Sequence, residues 1–376
     1  MTNSIGTSMW SRVFRLRGTV ILHIWWQVTL VVLFTTGIIF IHLNKFPIHF
    51  PMPILIDIMG VVTGLLLAFR TQTSYERYSQ GSELWCQMTI YSRNLTRLIW
   101  TGVTPHDSQN IVEKKSAINL VLAFAVATKH YLREEYGYKY ADLSNLLSHI
   151  TTTHATPRNV SISHKETFDD VITTQRDVNC TNIPLEISYY IASYIKYCQN
   201  QPWDQPKCDA IVITAMHKYL SQLVGCLTTF EKIRKTPIPI AYSVHLTHIT
   251  WIYTLAIPIQ IVSRFEWNTL PIVALAGFAL LGILEIGQEI ENPFSYAAND
   301  LPLDQFCEDI RLEMEHVLMQ SPVQAKDWIS SDKNMPFYPK SFQTASELMR
   351  RSPEELENIM RRLETGPQAA AGRTAV

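Results

Sequence analysis

Residues 54–77 read ILIDIMGVVTGLLLAFRTQTSYER, and two side-chain stripes run through them at helical spacing. Val61, Leu65 and Phe69 fall four residues apart, so on a helix each sits only ~40° round from the last. Gly60, Gly64 and Ala68 form a second stripe one position behind the first. Small residues at that spacing let apolar helices approach closely. The bulky stripe would then face whatever the packed helices enclose. The pattern predicts helices standing side by side around a narrow apolar hole.

The 376-residue chain has a mean hydropathy near zero, an average over two different materials. Thr19–Leu43, Ile238–Val262 and Leu270–Ile290 are long apolar runs, and Ile54–Phe69 is a shorter one. A spanning helix needs roughly 20 mainly apolar residues. One such run fits a soluble core; four together, with Trp and Tyr near their ends, point to an integral membrane protein. The fold expected is all-α, with spans at about 19–43, 52–70, 237–262 and 268–288. A helical cytoplasmic region over 71–236 separates the two hairpins, and a partly disordered cytoplasmic tail follows over 321–376.

The start carries no secretory signal: its apolar run is too long for an h-region, and no small-residue cleavage site follows. Arg12, Arg15 and Arg17 precede the first span, Arg70 and Arg77 follow the second, and Lys232, Arg234 and Lys235 precede the third. The links 44–53 and 263–269 carry one basic residue each, Lys45 and Arg264. The positive-inside rule therefore puts both termini and the middle region in the cytoplasm. A net charge of −1 gives no reason to invoke nucleic acid. The six cysteines form no CxxC pair and read as free thiols of a reducing compartment. Sequons at Asn94, Asn159 and Asn179 would face the cytosol unmodified.

Within the middle region, 82–100 reads as a continuation of the second span into one long helix. Helices are also expected over 110–136, 142–150, 185–199 and 209–230, with a mobile Ser/Thr/His-rich insertion over 151–178. Beyond Pro302, 304–320 reads as a helix, Ser352-Pro353-Glu354-Glu355 as a helix start, and 366–376 as disordered.

Five blocks resemble the bestrophin family of ion channels, especially its bacterial and fungal branch. They are Arg17-Gly18-Thr19-Val20; Leu67-Ala68-Phe69-Arg70-Thr71 with Ser74-Tyr75-Glu76-Arg77; Glu231 through Pro239; Glu289-Ile290-Glu291-Asn292-Pro293-Phe294; and Asn299-Asp300-Leu301-Pro302-Leu303. They stand in order over about residues 10–320, and a channel domain over 1–320 follows from them. The resemblance implies a homopentamer around a central pore in a lipid membrane. Its second helix would line a hydrophobic neck at Val61, Leu65 and Phe69, the positions that periodicity singles out. The resemblance also places a cytoplasmic aperture at Ile211.

An apolar ring stops ions because a narrow hydrophobic constriction empties of water. The neck offers no side-chain charge, so selectivity must come from dipoles, Phe69 ring edges and charges at the mouths, for which Arg70 and Arg77 are the candidates. The favoured permeants are chloride and other small anions, with a cation-selective channel as the alternative. The plasma membrane is favoured over an organelle.

Animal bestrophins hold calcium after the Asn-Pro-Phe motif. Here that segment keeps one carboxylate, Asp300, too few for a hard cation wanting many oxygens. Calcium binding is therefore not expected, and Asp300 reads as a cap for the helix near Leu303. No cofactor is implied. Glu289 and Glu291 read as helix-end partners for basic residues. His245 and His248, three apart, lack a third ligand at suitable spacing. Two rivals to a channel stay open: a metalloenzyme using His245, His248 and Glu285, and a membrane scaffold whose neck never opens.

Overall fold

A computed structural model describes residues 18–44, 53–104, 108–150, 182–200, 207–319 and 325–364. The insertion expected over 151–178, Arg12, Arg15, Arg17, Lys45, Cys180, the sequons at Asn159 and Asn179, and the 366–376 tail lie outside the described residues. The chain divides into two compact units, Met1–Glu315 and His316–Val376.

The first unit is all helical among the described residues, apart from one isolated bridge between Val103 and Cys208. Its elements are α1 (Ile21–Leu43), α2 (Pro53–Gly102), α3 (Ser108–Leu132), α4 (Ala141–Leu147), α5 (Ile183–Gln199), α6 (Ala210–Lys235), α7 (Ile240–Phe265) and α8 (Thr269–Glu289). α9 (Leu303–Met319) closes this unit and runs past its boundary. The second unit contains α10 (Ala325–Ile329), α11 (Ala345–Leu348) and α12 (Pro353–Glu364). At α11, Thr344 and Glu347 form a reciprocal capping box.

Four stretches are long and apolar enough to cross a membrane: α1, α2, α6 and the run 240–289. A 3₁₀ turn at Glu266–Asn268 folds that last run into the α7–α8 hairpin. α1, α7, α8 and the start of α2 pack together, and the protein is an integral membrane protein. Their interior is built from Val31, Val273 and Leu281, then Ile38, Ile39 and Val262, then Leu67, Leu246 and Leu284. Thr35, Thr250 and Thr254 are fully buried there and donate to carbonyls one turn back, which satisfies each hydroxyl within its own helix. α6 has a span's length and composition, yet it packs on α2, α3 and α5 and ends in Lys232, Arg234 and Lys235. It belongs to the helical body.

The body is centred on α3, whose residues 121–130 are buried all round. Lys114, 1% exposed, is held there by donating to the Trp100 carbonyl at 2.9 Å and lying over the Trp100 ring. Several boundaries differ from expectation: α3 stops at Leu132 rather than 136 and α4 at Leu147 rather than 150. α6 runs to Lys235 rather than stopping at Phe230, because its cationic last turn complements the helix dipole. α5 starts before Pro184, not after it: Asn182 caps the amide of Leu185, and proline fits the first turn.

Candidate pore site

α2 is 50 residues long, roughly 75 Å at 1.5 Å per residue, and it runs from the spans into the body. Its two sides differ. Ile56, Thr63, Leu67, Arg70 and Ser74 are buried. Leu67 packs with Leu246 of α7 and Leu284 of α8, and a Cβ on Gly60 would stand 2.6 Å from the Tyr253 hydroxyl of α7. On the opposite side, Val61, Leu65 and Phe69 are 73%, 55% and 57% exposed, in line with Ile54 and Ile58. Gly64 has open space where a Cβ would point, and Ala68 is exposed beside it. The small-residue stripe is therefore divided. Gly60 serves contact within the chain, and Gly64 and Ala68 stay on the free surface.

The exposed stripe changes character at one point. After Phe69 the same face continues through Gln72, Glu76, Glu83, Gln87, Arg97 and Thr101, with Ile90 the apolar member among them. Gln72 donates to Glu76 and Gln87 to Glu83 along the stripe. Ile211, 83% exposed, lies in the first turn of α6. A Cβ on Gly102 would touch the side chain of the neighbouring Val212. This sets Ile211 beside the far end of α2, about 50 Å along that helix from Phe69. Asn94 sits mid-helix in α2 with Thr96 of its sequon buried.

Arg70 and Arg77 are not free mouth charges. Arg70 is 2% exposed, pairs with Glu291 at 2.6 Å and donates to the Ser243 hydroxyl. Arg77 donates to the backbone carbonyls of Ile233, Thr236 and Glu291 at 2.5–3.0 Å. It does not pair with Glu76, which is bonded to Gln72 instead. Both arginines leave α2 on the side that faces α7 and the ends of α6 and α8. Ser74 donates to the Gly287 carbonyl at 2.7 Å on the same side. Glu291, expected to pair at a helix end, does so with Arg70 and also accepts the Ile238 amide at 3.0 Å.

Asp300 does not cap α9. Its carboxylate turns back to accept the Ala297 amide at 2.8 Å, closing the turn after the Asn-Pro-Phe segment. That segment is held by side chains. Phe294, fully buried, lies under Gly81 and edge-on to Phe230, and the Tyr296 hydroxyl donates to Glu135. Asn299 donates to the carbonyl of Gly18 and to Glu289, both at 3.1 Å. No three His, Cys, Asp or Glu side chains among the described residues are grouped to hold a metal ion. His245 and His248 are exposed on α7. The cysteines among the described residues are free thiols.

The model of the bacterial and fungal bestrophin proteins matches residues 2–316. A voltage-dependent anion channel-forming protein of Synechocystis is 34% identical over 315 residues, 82% of this chain and 91% of its own. The chain belongs to the bacterial and fungal bestrophin family. A voltage-dependent anion channel-forming protein of Escherichia coli is 26% identical to this bestrophin over 270 residues, 72% of this chain and 78% of its own. A solved bacterial bestrophin homolog from Klebsiella pneumoniae shares the fold at 22% identity and a TM-score of 0.64, covering 79% of this chain and 100% of its own.

Which residues did sequence reasoning miss? The polar continuation at Gln72, Glu76 and Glu83 carries the same period as Val61, Leu65 and Phe69. Extending that period past Phe69 finds it.

Proposed function

We propose that this bestrophin is a homopentameric channel that passes chloride and other small anions passively. The start of α2 from each subunit lines a neck gated at Val61, Leu65 and Phe69, and Ile211 forms a second, cytoplasmic aperture. The observation that carries this reading is the exposed stripe of α2. Five bulky apolar positions stand unpartnered on a helix whose other side is fully packed, and the stripe turns polar immediately beyond Phe69. Five such helices around an axis would give a short dewettable constriction opening into a water-filled vestibule. Gly64 and Ala68 flank the stripe and would let adjacent helices approach. The anion assignment is supported by the names of the Synechocystis and Escherichia coli relatives. The arginine distribution supports cytoplasmic termini, and the plasma membrane is the proposed residence. Asp300 is engaged with the Ala297 amide, so no calcium requirement is proposed.

One observation favours a second reading, cation preference. Glu76 and Glu83 lie on the vestibule stripe with Arg97 as the balancing cation, whereas Arg70 and Arg77 are turned away from it. The test is the reversal potential of purified protein in planar bilayers under a KCl gradient. A potential near the chloride equilibrium value supports anion passage, and one near the potassium value replaces it with the second reading. Bilayers that stay silent even when the neck is replaced by alanine argue for a scaffold.

A further inference from the structure

A cavity of about 410 Å³ opens where the spans meet the body, and arginines line it from three elements. Arg77 reaches it from α2, Arg133 from the residue after α3, and Arg234 from the last turn of α6. Gln288 contributes from the last turn of α8, Glu291 from just beyond it, and Pro237 from the link between α6 and α7. The two carboxylates in the lining, Glu134 and Glu291, are shared with other partners or with solvent. Glu291 is committed to Arg70 and to the Ile238 amide. Glu134 bonds Arg234 at 2.9 Å but is 69% exposed. Arg77 is met only by backbone carbonyls. The Arg133 side chain is 5% exposed and bonds Asp304 through one Nη, yet its Nε is a buried donor with no acceptor. A charged donor left unpaired in a buried site costs more than a neutral one.

From this geometry we infer that the cavity is a binding site for a phosphate-bearing anion, either the headgroup of an acidic phospholipid or a soluble phosphate. The chemistry selects that class. Guanidinium groups arrayed around one volume match the several oxygens of a phosphate, and each arginine keeps N–H donors beyond those its protein partners use. The place fits the lipid source as well. The cavity lies at the level where α7 begins and α8 ends, at the edge of the apolar spans, where acidic headgroups collect basic side chains. Its arginines come from α2, α6 and the α3 end, so an anion would tie the long helix α2 to the body.

Gln288 provides the handle. It is exposed in the cavity wall and makes no side-chain hydrogen bond among the described residues, so a charge can be set there without breaking a contact. The thermal midpoint of the full-length purified protein is measured against three probes: inorganic phosphate, dihexanoyl phosphatidic acid and dihexanoyl phosphatidylcholine. Phosphatidic acid, phosphate or both should raise the midpoint saturably, and phosphatidylcholine should not. Gln288→Glu should weaken the apparent affinity about tenfold, as a unit charge a few ångströms from a bound oxyanion implies, and Gln288→Lys should strengthen it. A response to phosphatidic acid alone assigns the site to a lipid headgroup, and one to phosphate alone assigns it to a soluble ligand. No saturable response to either, or a response that both Gln288 variants leave unchanged, overturns the proposal. Binding is read without conduction, so its failure is distinct from failure of the channel reading.

Discussion

Replacing Glu291 by Gln should destabilise this protein more than replacing Arg70 by Gln. Removing one member of a buried ion pair costs about 3–5 kcal/mol, because the charge left behind is uncompensated. The cost depends on which charge is stranded. Glu291→Gln strands Arg70, whose side chain is 3% exposed and whose Nε already lacks an acceptor. The Ser243 hydroxyl is then its one side-chain partner. Arg70→Gln strands Glu291, which is 20% exposed and keeps the Ile238 amide. The expected losses are therefore about 4 kcal/mol for Glu291→Gln and about 2 kcal/mol for Arg70→Gln. The double variant places two neutral amides face to face and should lose about 3 kcal/mol, less than Glu291→Gln alone, through a coupling of about 3 kcal/mol.

The assay is thermal or denaturant unfolding of the four proteins in one detergent, with reversal potential measured on those that reconstitute. The order expected is wild type, Arg70→Gln, the double variant, then Glu291→Gln lowest. Ion selectivity should be the same in every variant that conducts. If Arg70→Gln unfolds like wild type while shifting the reversal potential, Arg70 is a pore charge and the reasoning from its burial is refuted.

Val61→Ala, Leu65→Ala and Phe69→Ala together should raise open probability in bilayers about tenfold or more, since about 1.4 kcal/mol taken from a barrier is tenfold in rate. Unchanged gating would remove the neck from α2. Glu76→Gln with Glu83→Gln should move the reversal potential toward the chloride value, with a permeability ratio altered about threefold, as screened charges in a wet vestibule allow. An unmoved potential would mean that this stripe does not face permeating ions. Asp304 bonds Arg133 and Lys129, and these hold its carboxyl down to about 2. A depressed carboxyl stabilises the fold above its unfolded value near 4, and the contribution fades as pH falls from there toward 2. Because the side chain is 63% exposed, it is worth only about 1 kcal/mol, so Asp304→Asn should lower the midpoint at pH 6 and lower it by about half as much near pH 3. An equal deficit at both pH values would contradict the linkage.

The exposed side of α2 was legible in the sequence because helical period is a local property, and three residues four apart are enough to define a face. The direction of Arg70 was not. It follows Phe69 directly, and a charge next to a neck suggests a mouth, but one residue is about 100° of helix. That rotation carries Arg70 to the packed side, where its partner Glu291 stands 221 positions away. Nothing local in ILIDIMGVVTGLLLAFR announces such a pairing. Asp300 failed in the same way. A carboxylate a few residues before a helix suggests a cap, and only the turn geometry shows it reaching back to Ala297. The Glu231–Lys235 run lies beyond the helix expected over 209–230, yet its cationic residues complement the dipole of the last turn.

The blocks that carry the family resemblance are scattered across nearly 290 residues of sequence, yet in space they meet at one junction. Gly18 accepts from Asn299, and its φ of +78° is one that a side chain would strain. Arg70, Ser74 and Arg77 bind the end of α8, the end of α6 and the residues after them. Gly81 leaves room for Phe294, whose ring would lie 3.1 Å from an added Cβ. The neck residues touch none of this, since they occupy the opposite side of α2. The shared motifs therefore define a rigid joint between membrane and body, through which α2 runs without interruption. In the proposed channel, a displacement of the body would be carried to Phe69 by that one helix, and the side chains on its free side would set how wide the passage is and which ions it admits.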